Sequence, residues 1–285
     1  MNHNPTAWIT GAAGLIGNCL VQTAAAHAPG WRVIALTRAE LDLLDFDAVR
    51  RAFHERQPSL VIHCAAMTRT PQCQTQPDEA RRSNVDVTAL LAELAANIPF
   101  FFFSTDLVFD GQKGNYAETD PVNPISVYAQ TKVEAERIVL CNPRHTVVRA
   151  GLNAGVSITG DRAFNEQMRI AWENGRTLDL FTDEFRCPIP APVTARAVWE
   201  LARKGATGLF HVCGSERLSR FEIGKLLAAR WPQLNPKIVP ASAKGYQGAA
   251  RCPDVSMNCA KAQRLLSFPL PRFSDWLAAH PSERI

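Results

Sequence analysis

Short apolar runs alternate with helix-like stretches through the first half of this sequence of 285 residues. The apolar runs have the length and the β-branched or aromatic content of buried strands, and the stretches between them have helical periodicity. Strands that alternate with helices at this spacing form βαβ units, in which the strands run parallel. The pattern therefore predicts an α/β fold with a doubly wound parallel sheet. The predicted strands are 7–10, 32–36, 60–63, 100–104 and 145–149, and the predicted helices are 15–26, 45–56, 85–96 and 127–140.

The alternation weakens after Arg149, where three prolines between 188 and 192 interrupt the chain. Further on, Ser219 is followed three residues later by Glu222, which is the pattern of a capping box at the start of a helix. The elements predicted in this half are a helix over 195–203, a strand over 208–212 and a helix over 219–231.

These elements predict two domains. Residues 1–150 form the larger one, a Rossmann-type domain that contains the parallel sheet, and elements from about 190–212 return to it. Residues 151–189 and 213–285 form a small C-terminal domain.

The composition disfavours several functional classes. The net charge is +4 and no run of Lys and Arg is longer than a pair, so we expect no nucleic-acid partner. No apolar segment has the length of a membrane span and the first residues lack the features of an export signal, so we expect a cytoplasmic protein without a membrane partner. Eight cysteines form no C-x-x-C pair, which favours buried thiols over disulfides or a metal site.

Three glycines follow the first predicted strand directly. Glycine lets the backbone turn tightly and approach a pyrophosphate, and the helix that follows presents free N–H groups to the anion. The spacing G-x-x-G-x-x-G departs from the common G-x-G-x-x-G, but the loop lies between a strand and a helix, as a dinucleotide site requires. We therefore predict dinucleotide binding, with a purely structural turn as the alternative. The residues predicted to contact the dinucleotide here are Gly11, Gly14, Leu15, Ile16 and Gly17.

The second predicted strand is followed by Arg38, where an NAD site usually has an Asp or Glu on the ribose 2′-hydroxyl group. A guanidinium group matches the geometry of a 2′-phosphate, so Arg38 favours NADP, with NAD as the less favoured cofactor. The alternative is a solvated arginine at the end of a strand. Asp42 and Leu43 follow closely and are predicted to line the adenine.

Tyr128 and Lys132 lie four residues apart at the start of a predicted helix, so both side chains point from one face. A free phenol has a pKa of about 10, and a neighbouring ammonium group lowers it toward the working pH. Thr105 and Asp106 close the fourth strand, at the sheet edge where α/β proteins bind ligands, and we predict that they contact a substrate. Taken alone, Y-x-x-x-K is a weak motif, for which an exposed tyrosine and a solvated lysine are the alternative.

Together these motifs resemble the extended short-chain dehydrogenase/reductase superfamily and, within it, the dTDP-4-dehydrorhamnose reductase family. The likeness runs over nearly the whole chain and is strongest before Arg149. The segments that carry it are 11–17 (GAAGLIG), 40–43 (ELDL), 64–68 (CAAMT), 103–111 (FSTDLVFDG) and 128–132 (YAQTK).

The resemblance implies a role for each candidate residue. Tyr128 would be the general acid, Lys132 would hold the nicotinamide ribose and lower the pKa of the tyrosine, and Thr105 would polarise a carbonyl group. Residues 1–150 would bind the dinucleotide, and the small domain would bind the substrate. The residues that would border the cofactor after the third strand are Cys64, Ala65, Ala66 and Thr68.

Departures from the family pattern bear on the substrate. Residues 150–152 (AGL) replace an aromatic residue that typically follows the fifth strand, and Leu107 replaces the Glu of a dehydratase, which argues against dehydration. Arg186 lies in a stretch that runs beside the substrate in the resembling enzymes. We predict that Arg186 lies in a loop of the substrate cleft and contacts an anionic group such as a diphosphate. The alternative is a surface arginine that pairs with Asp183 or Glu184.

The leading hypothesis is an NADP-dependent reductase of a keto-sugar, with a nucleotide-linked sugar as substrate. Two alternatives stay open. One is a nucleotide-sugar epimerase, which uses the same residues and retains its cofactor, and the other is a non-catalytic NADP-binding regulatory subunit. The sequence leaves the identity of the sugar, the nucleotide and the oligomeric state open, a homodimer included.

Overall fold

The computed structural model describes residues 4–247, 250–283 and 285, and its first half alternates strands with helices as the sequence predicts. The elements of this half are β1 (Thr6–Thr10), α1 (Leu15–His27), β2 (Arg32–Leu36), α2 (Phe46–Arg56), β3 (Leu60–His63), α3 (Thr70–Thr75), α4 (Pro77–Arg81), a π turn (Arg82–Asp86), α5 (Val87–Leu94), β4 (Phe100–Thr105), a 3₁₀ turn (Asp106–Val108), α6 (Val127–Leu140) and β5 (Thr146–Ala150).

The second half contains shorter elements. Among the helices of the described residues, none combines the length and the hydropathy that crossing a bilayer requires. The elements of this half are β6 (Asn153–Ala154), α7 (Phe164–Glu173), β7 (Thr177–Phe181), β8 (Phe185–Arg186), β9 (Ile189–Pro190), α8 (Ala191–Arg203), β10 (Gly208–Val212), β11 (Leu218–Ser219), α9 (Arg220–Arg230), a 3₁₀ turn (Pro232–Leu234), β12 (Lys237–Ala241), α10 (Ala260–Gln263) and α11 (Phe273–Ala279).

Six strands form one parallel sheet in the order β2–β1–β3–β4–β5–β10, which confirms the predicted doubly wound sheet. The chain moves outward in one direction from β1 to β2 and in the other direction from β3 onward. The strand order therefore reverses between β1 and β3. Open α/β sheets bind ligands at such a switch point, beyond the carboxyl ends of the strands.

Two hydrophobic clusters cover the two faces of the sheet. One cluster packs α1 and α8 against one face, and the other packs α2, α5 and α6 against the opposite face. Trp199 of α8 is fully buried, and its Nε1–H group donates a hydrogen bond of 3.0 Å to the carbonyl oxygen of Leu20 in α1. Residues 190–212 therefore belong with the sheet, because α8 packs against α1 and β10 pairs with β5. The division into two domains remains a prediction.

A third cluster lies among the shorter elements of the second half, where Phe164, Trp172 and Trp276 are buried between α7, α9 and α11. The strands pair two by two, β7 with β12, β8 with β11 and β6 with β9. The predicted capping box is confirmed, because Ser219 Oγ accepts the N–H of Glu222 at 3.1 Å while the Glu222 carboxylate accepts the N–H of Ser219 at 2.7 Å.

The structure corrects two predicted helix boundaries. The helix predicted over 195–203 begins at Ala191, because Pro192 lies in its first turn, where a missing N–H group costs no hydrogen bond. The helix predicted over 85–96 is shorter, from Val87 to Leu94, and the π turn Arg82–Asp86 precedes it.

Candidate active site

The glycine loop connects β1 to α1 at the switch point. Gly11 has a φ of +65°, which glycine adopts freely, and a Cβ atom there would lie 2.7 Å from the backbone nitrogen of Ala65. A Cβ atom on Gly17 would collide with the carbonyl oxygen of Gly11. Gly14 precedes α1 without a side-chain cap, and no acidic residue lies in the first turn of this helix. The free N–H groups at the start of α1 therefore suit an anion such as a pyrophosphate.

A buried hydroxyl group holds the segment after β3 beside the glycine loop. Thr10 Oγ1 accepts the backbone N–H groups of Cys64 and Ala65, both at 3.2 Å, and donates its own proton to His63 Nδ1 at 2.7 Å. Burial lowers the pKa of His63 to about 3, so the ring is neutral and its Nε2–H group donates to Thr88 Oγ1 at 3.2 Å. Sequence reasoning missed Thr10 and His63, because both read as ordinary strand residues.

Asn84 fixes the same segment from the π turn and was also missed. Its Oδ1 accepts the N–H of Met67 at 2.8 Å, and its Nδ2 donates to the Met67 carbonyl oxygen and to Thr131 Oγ1, both at 3.0 Å. Single π turns within helices are frequent at functional sites. The sequence signal was weak, since the predicted helix started at residue 85, after this asparagine.

The residues predicted to surround the adenosine part of the cofactor lie beyond the end of β2. The Arg38 side chain is 83% exposed, and its Nε lies 3.7 Å from Asp42 Oδ2. Asp42 Oδ1 accepts the N–H of Leu44 at 3.0 Å, and Leu43 packs half-buried against the cluster on the α2 side of the sheet. An exposed ion pair at this distance contributes little, so Arg38 is free to turn toward a phosphate.

Thr105 and Tyr128 lie at the carboxyl edge of the sheet. Thr105 ends β4, and its hydroxyl group donates to Asp106 Oδ1 at 3.1 Å. Tyr128 lies in the first turn of α6, which Ser126 caps by accepting the N–H of Ala129 at 3.3 Å. Burial and the Asp106 carboxylate raise the pKa of Tyr128, and a hydrogen bond with Thr105 offsets only part of this shift. The phenol therefore keeps its proton at neutral pH.

Lys132 lies one turn further along α6 and is buried. Its Nζ lies 3.9 Å from the centroid of the Phe102 ring, and burial lowers the pKa of Lys132 to about 7 although Glu136 and Cys64 oppose this shift. The structure corrects the expectation that the lysine lowers the pKa of Tyr128. The pKa of the phenol is raised, because burial and the neighbouring carboxylate both disfavour the phenolate.

A buried ion pair joins α6 to β5. Arg149 Nε and Nη2 donate to the two carboxylate oxygens of Glu136 at 2.9 and 2.7 Å, and the two side chains are 5% and 4% exposed. A bidentate pair of this kind fixes orientation as well as distance. Because Glu136 follows Lys132 by one helical turn, the pair holds the face of α6 that carries Lys132 and Tyr128.

A cleft of about 380 Å³ opens beside Thr105 and Tyr128. A wider depression of about 780 Å³ lies at the opposite edge of the sheet, around Pro5, Trp31 and Gln57, away from these two residues. Arg38 and Cys64, which the sequence predicted for the cofactor, and Lys132 do not line the cleft. The predicted residues that line the cleft are Ile16, Thr68, Thr105, Asp106, Tyr128 and Arg186.

Three arginines surround one buried carboxylate in this cleft. Glu184 is 2% exposed and lies 3.1 Å from Arg186 Nη2 and 3.5 Å from Arg251 Nη1. Arg220 makes no ion pair with any residue that the structure describes, and burial lowers its pKa to about 10. The cleft therefore holds three guanidinium groups against the carboxyl groups of Glu184 and Asp106, which leaves at least one positive charge in excess.

Arg186 lies in the cleft but not in a loop, so that part of the prediction is wrong. It is the second residue of β8 and pairs with Leu218 of β11 in a two-residue ladder, which is too short for sequence periodicity to reveal. Arg186 is 6% exposed, so it is not a surface arginine either. Of the two predicted partners it pairs with Glu184, since the Asp183 carboxylate accepts a serine hydroxyl and a backbone N–H instead, and Asp106 Oδ2 lies 3.9 Å from its Nε. A contact between Arg186 and an anionic group remains a prediction.

Comparisons with known proteins agree with this geometry. The sequence matches the family described as RmlD substrate binding domain over residues 6–283. A dTDP-4-dehydrorhamnose reductase of Sinorhizobium fredii is 30% identical over 282 residues, which cover 94% of this chain and 93% of that protein. The methionine adenosyltransferase 2 subunit beta of Rattus norvegicus is 29% identical over 271 residues, which cover 90% of this chain and 81% of that protein.

A solved structure shares the fold. The dTDP-4-dehydrorhamnose reductase of Bacillus anthracis in complex with NADP has a TM-score of 0.89, with 97% of this chain and 98% of that chain covered. The two sequences are 21% identical, so this likeness speaks for the fold alone.

The lowered pKa of Lys132 predicts a pH-dependent stability. Between pH 7 and 10.5 the folded protein has released the Lys132 proton while the unfolded chain still binds it, so the free energy of unfolding rises with pH in this window. In Lys132→Met this contribution is missing. We expect the free energy of unfolding of the wild type to rise relative to that of the variant by up to about 1.4 kcal/mol per pH unit. The measurement is urea unfolding at about pH 7, 8 and 9.

The matched control is Lys225→Met, which removes an exposed lysine on α9 and should keep the pH dependence of the wild type. Parallel pH profiles for the wild type and Lys132→Met would contradict the burial of a largely neutral lysine.

Proposed function

The chain belongs to the RmlD substrate binding domain family, and on this premise we propose that it is an NADP-dependent reductase of a nucleotide-linked keto-sugar. The observation that carries the proposal is a single cleft lined by the hydroxyl groups of Thr105 and Tyr128 and by three arginines. The hydroxyl groups suit a carbonyl oxygen, and the arginines suit a diphosphate. The family match and the Sinorhizobium relative confirm the resemblance found in the sequence.

Each residue at the reacting centre has a task in the reduction of a ketone. When bound, NADPH supplies a hydride for the carbonyl carbon. The Thr105 hydroxyl group donates a hydrogen bond to the carbonyl oxygen, where negative charge develops. Tyr128 gives its proton to that oxygen, and its raised pKa keeps the proton in place until the oxygen becomes the stronger base. Lys132, with a pKa of about 7, is partly charged at neutral pH and would hold the nicotinamide ribose.

The residues that would hold NADP surround the switch point of the sheet. The start of α1 would receive the pyrophosphate, Arg38 the 2′-phosphate, and the segment that Thr10 holds would border the nicotinamide side. Support comes from the Bacillus anthracis reductase, which has the same fold and was solved with NADP. NAD is the less favoured cofactor.

The two alternatives from the sequence differ in what the purified protein would carry or bind. An epimerase would retain its dinucleotide through purification, whereas a reductase exchanges it at each turnover. The likeness to the subunit beta of methionine adenosyltransferase 2 favours a regulatory subunit as the second candidate, which would copurify with a partner enzyme. The complete set of Thr105, Tyr128 and Lys132 favours catalysis.

Replacing Tyr128 tests the proposed function. In Tyr128→Phe we expect kcat to fall by about 10²- to 10⁴-fold, because only the proton donor is lost, while the Kd for NADPH stays close to that of the wild type. The measurement is NADPH oxidation with a panel of nucleotide-linked 4-keto-sugars. In the control Tyr116→Phe, which removes a hydroxyl group that bonds Asp110 outside the cleft, turnover should be kept.

The role of Tyr128 and the assignment as a reductase can each be contradicted by a separate outcome. Near-normal turnover of Tyr128→Phe would remove this tyrosine from the mechanism. Failure of the wild type to oxidise NADPH with every sugar of the panel would overturn the reductase assignment itself.

The choice of cofactor depends on Arg38. We expect kcat/KM to be higher with NADPH than with NADH, and we expect Arg38→Asp to invert this order, because a carboxylate repels the 2′-phosphate and accepts the ribose 2′-hydroxyl group. The control is Arg32→Asp at the other end of β2, which should leave the preference unchanged. Equal values for the two cofactors in the wild type would show that Arg38 is a solvated arginine.

Because the cleft has an excess positive charge, replacing Arg220 tests directly whether the cleft binds a diphosphate. A hydrogen bond to a charged group contributes about 1.5–3 kcal/mol, so Arg220→Gln should raise KM for a diphosphate-linked sugar by about 10- to 150-fold. KM for a sugar fragment without the diphosphate should hardly change. The control Arg217→Gln removes an arginine that pairs with Asp254 instead of lining the cleft. An equal rise of KM for both substrates would make Arg220 structural.

A further inference from the structure

Three of the eight free cysteines lie close together next to Gly151, a residue that lines the cleft. Cys213 directly follows β10, Cys259 directly precedes α10, and their Sγ atoms lie 3.0 Å apart. The third cysteine, Cys187, is buried in the same hydrophobic cluster. Outside this group, no two cysteines of the described chain bring their sulfur atoms together.

The surroundings orient Cys213 and Cys259 toward each other. The backbone N–H of Cys213 donates to Cys259 Sγ at 3.2 Å, and the Cys213 thiol lies 3.5 Å from the carbonyl oxygen of Met257. Cys213 is fully buried, whereas Cys259 is half-buried. Cys259 is therefore the more exposed residue of the pair, and its sulfur atom lies in contact with that of the buried Cys213.

We propose that Cys213 and Cys259 form a redox modification site, at which a hydroperoxide converts the two thiols into a disulfide. With hydrogen peroxide, the Cys259 sulfur first takes one oxygen, and water leaves as the O–O bond breaks. The Cys213 sulfur then displaces hydroxide from this sulfenic acid, and the hydroxide takes the Cys213 proton and leaves as a second water. Two thiols are oxidised and one peroxide is reduced. Dithiothreitol reverses the reaction.

The site is coupled to the cleft through Gly151. A Cβ atom on Gly151 would lie 2.5 Å from the Cys213 Cβ and 2.6 Å from the Cys187 carbonyl oxygen, so the backbone here packs without free space. Gly151 itself lines the cleft. Formation of a covalent bond draws the two sulfur atoms closer than their contact distance, and the close packing transmits a shift of Cys213 to Gly151. We therefore expect oxidation to lower the activity, an effect that rests on the proposed function.

Peptide mapping tests the modification site without reference to activity. The reduced full-length protein is treated with increasing hydrogen peroxide, alkylated and digested without reducing agent. We expect a cross-linked pair of peptides that contain Cys213 and Cys259, two hydrogen atoms lighter than their sum, which dithiothreitol separates. Cys259→Ala should abolish this species, and the control Cys141→Ser, at an exposed cysteine, should retain it. A cross-link through Cys187, or sulfinic acid without a cross-link, would overturn the proposal.

The activity measurement is separate. NADPH oxidation by the wild type should fall at least tenfold in step with cross-linking and return with dithiothreitol, whereas Cys259→Ala should keep its rate. Cross-linking without loss of activity would overturn the coupling through Gly151. If the wild type reduces no keto-sugar, the proposed function fails while the peptide map still decides the modification site.

Discussion

Six parallel strands end at one edge of the sheet, and the glycine loop, the segment after β3 and Thr105 depend on this alignment. The glycine loop follows β1, Cys64 follows β3 and Thr105 closes β4, so groups from distant parts of the sequence meet without long loops. Parallel strands need crossover connections, and one of these, α6, brings Tyr128 and Lys132 to the same edge. At the switch point, the Thr10 hydroxyl group bonds the chain after β3 to the end of β1.

Burial governs the chemistry of the two titratable groups on α6. It raises the pKa of Tyr128 and lowers the pKa of Lys132, so the same desolvation favours the neutral form of each. The buried ion pair of Arg149 and Glu136 joins this helix to β5, and removing one partner of such a pair lowers the stability by about 3–5 kcal/mol. It gives this face of α6 a rigid support.

The sequence was sufficient for the sheet and for the elements that flank it, because hydrophobic periodicity and glycine spacing are local signals. It also placed Thr105, Asp106, Tyr128 and Arg186, which line one cleft. It did not reveal the cluster around Glu184, since Arg220 and Arg251 come from other elements and meet it only in the folded chain. The direction of the Tyr128 pKa shift was missed for the same reason, because it depends on burial and not on helical spacing.

The excess positive charge of the cleft affects which anions bind there. Glu184 neutralises part of the charge of Arg186 and Arg251, while Arg220 has no ionic partner among the described residues. A recessed cation of this kind attracts small inorganic anions as well as substrates. Phosphate or sulfate in the medium then competes for the same position, and the apparent affinity for an anionic substrate becomes a function of the surrounding salt.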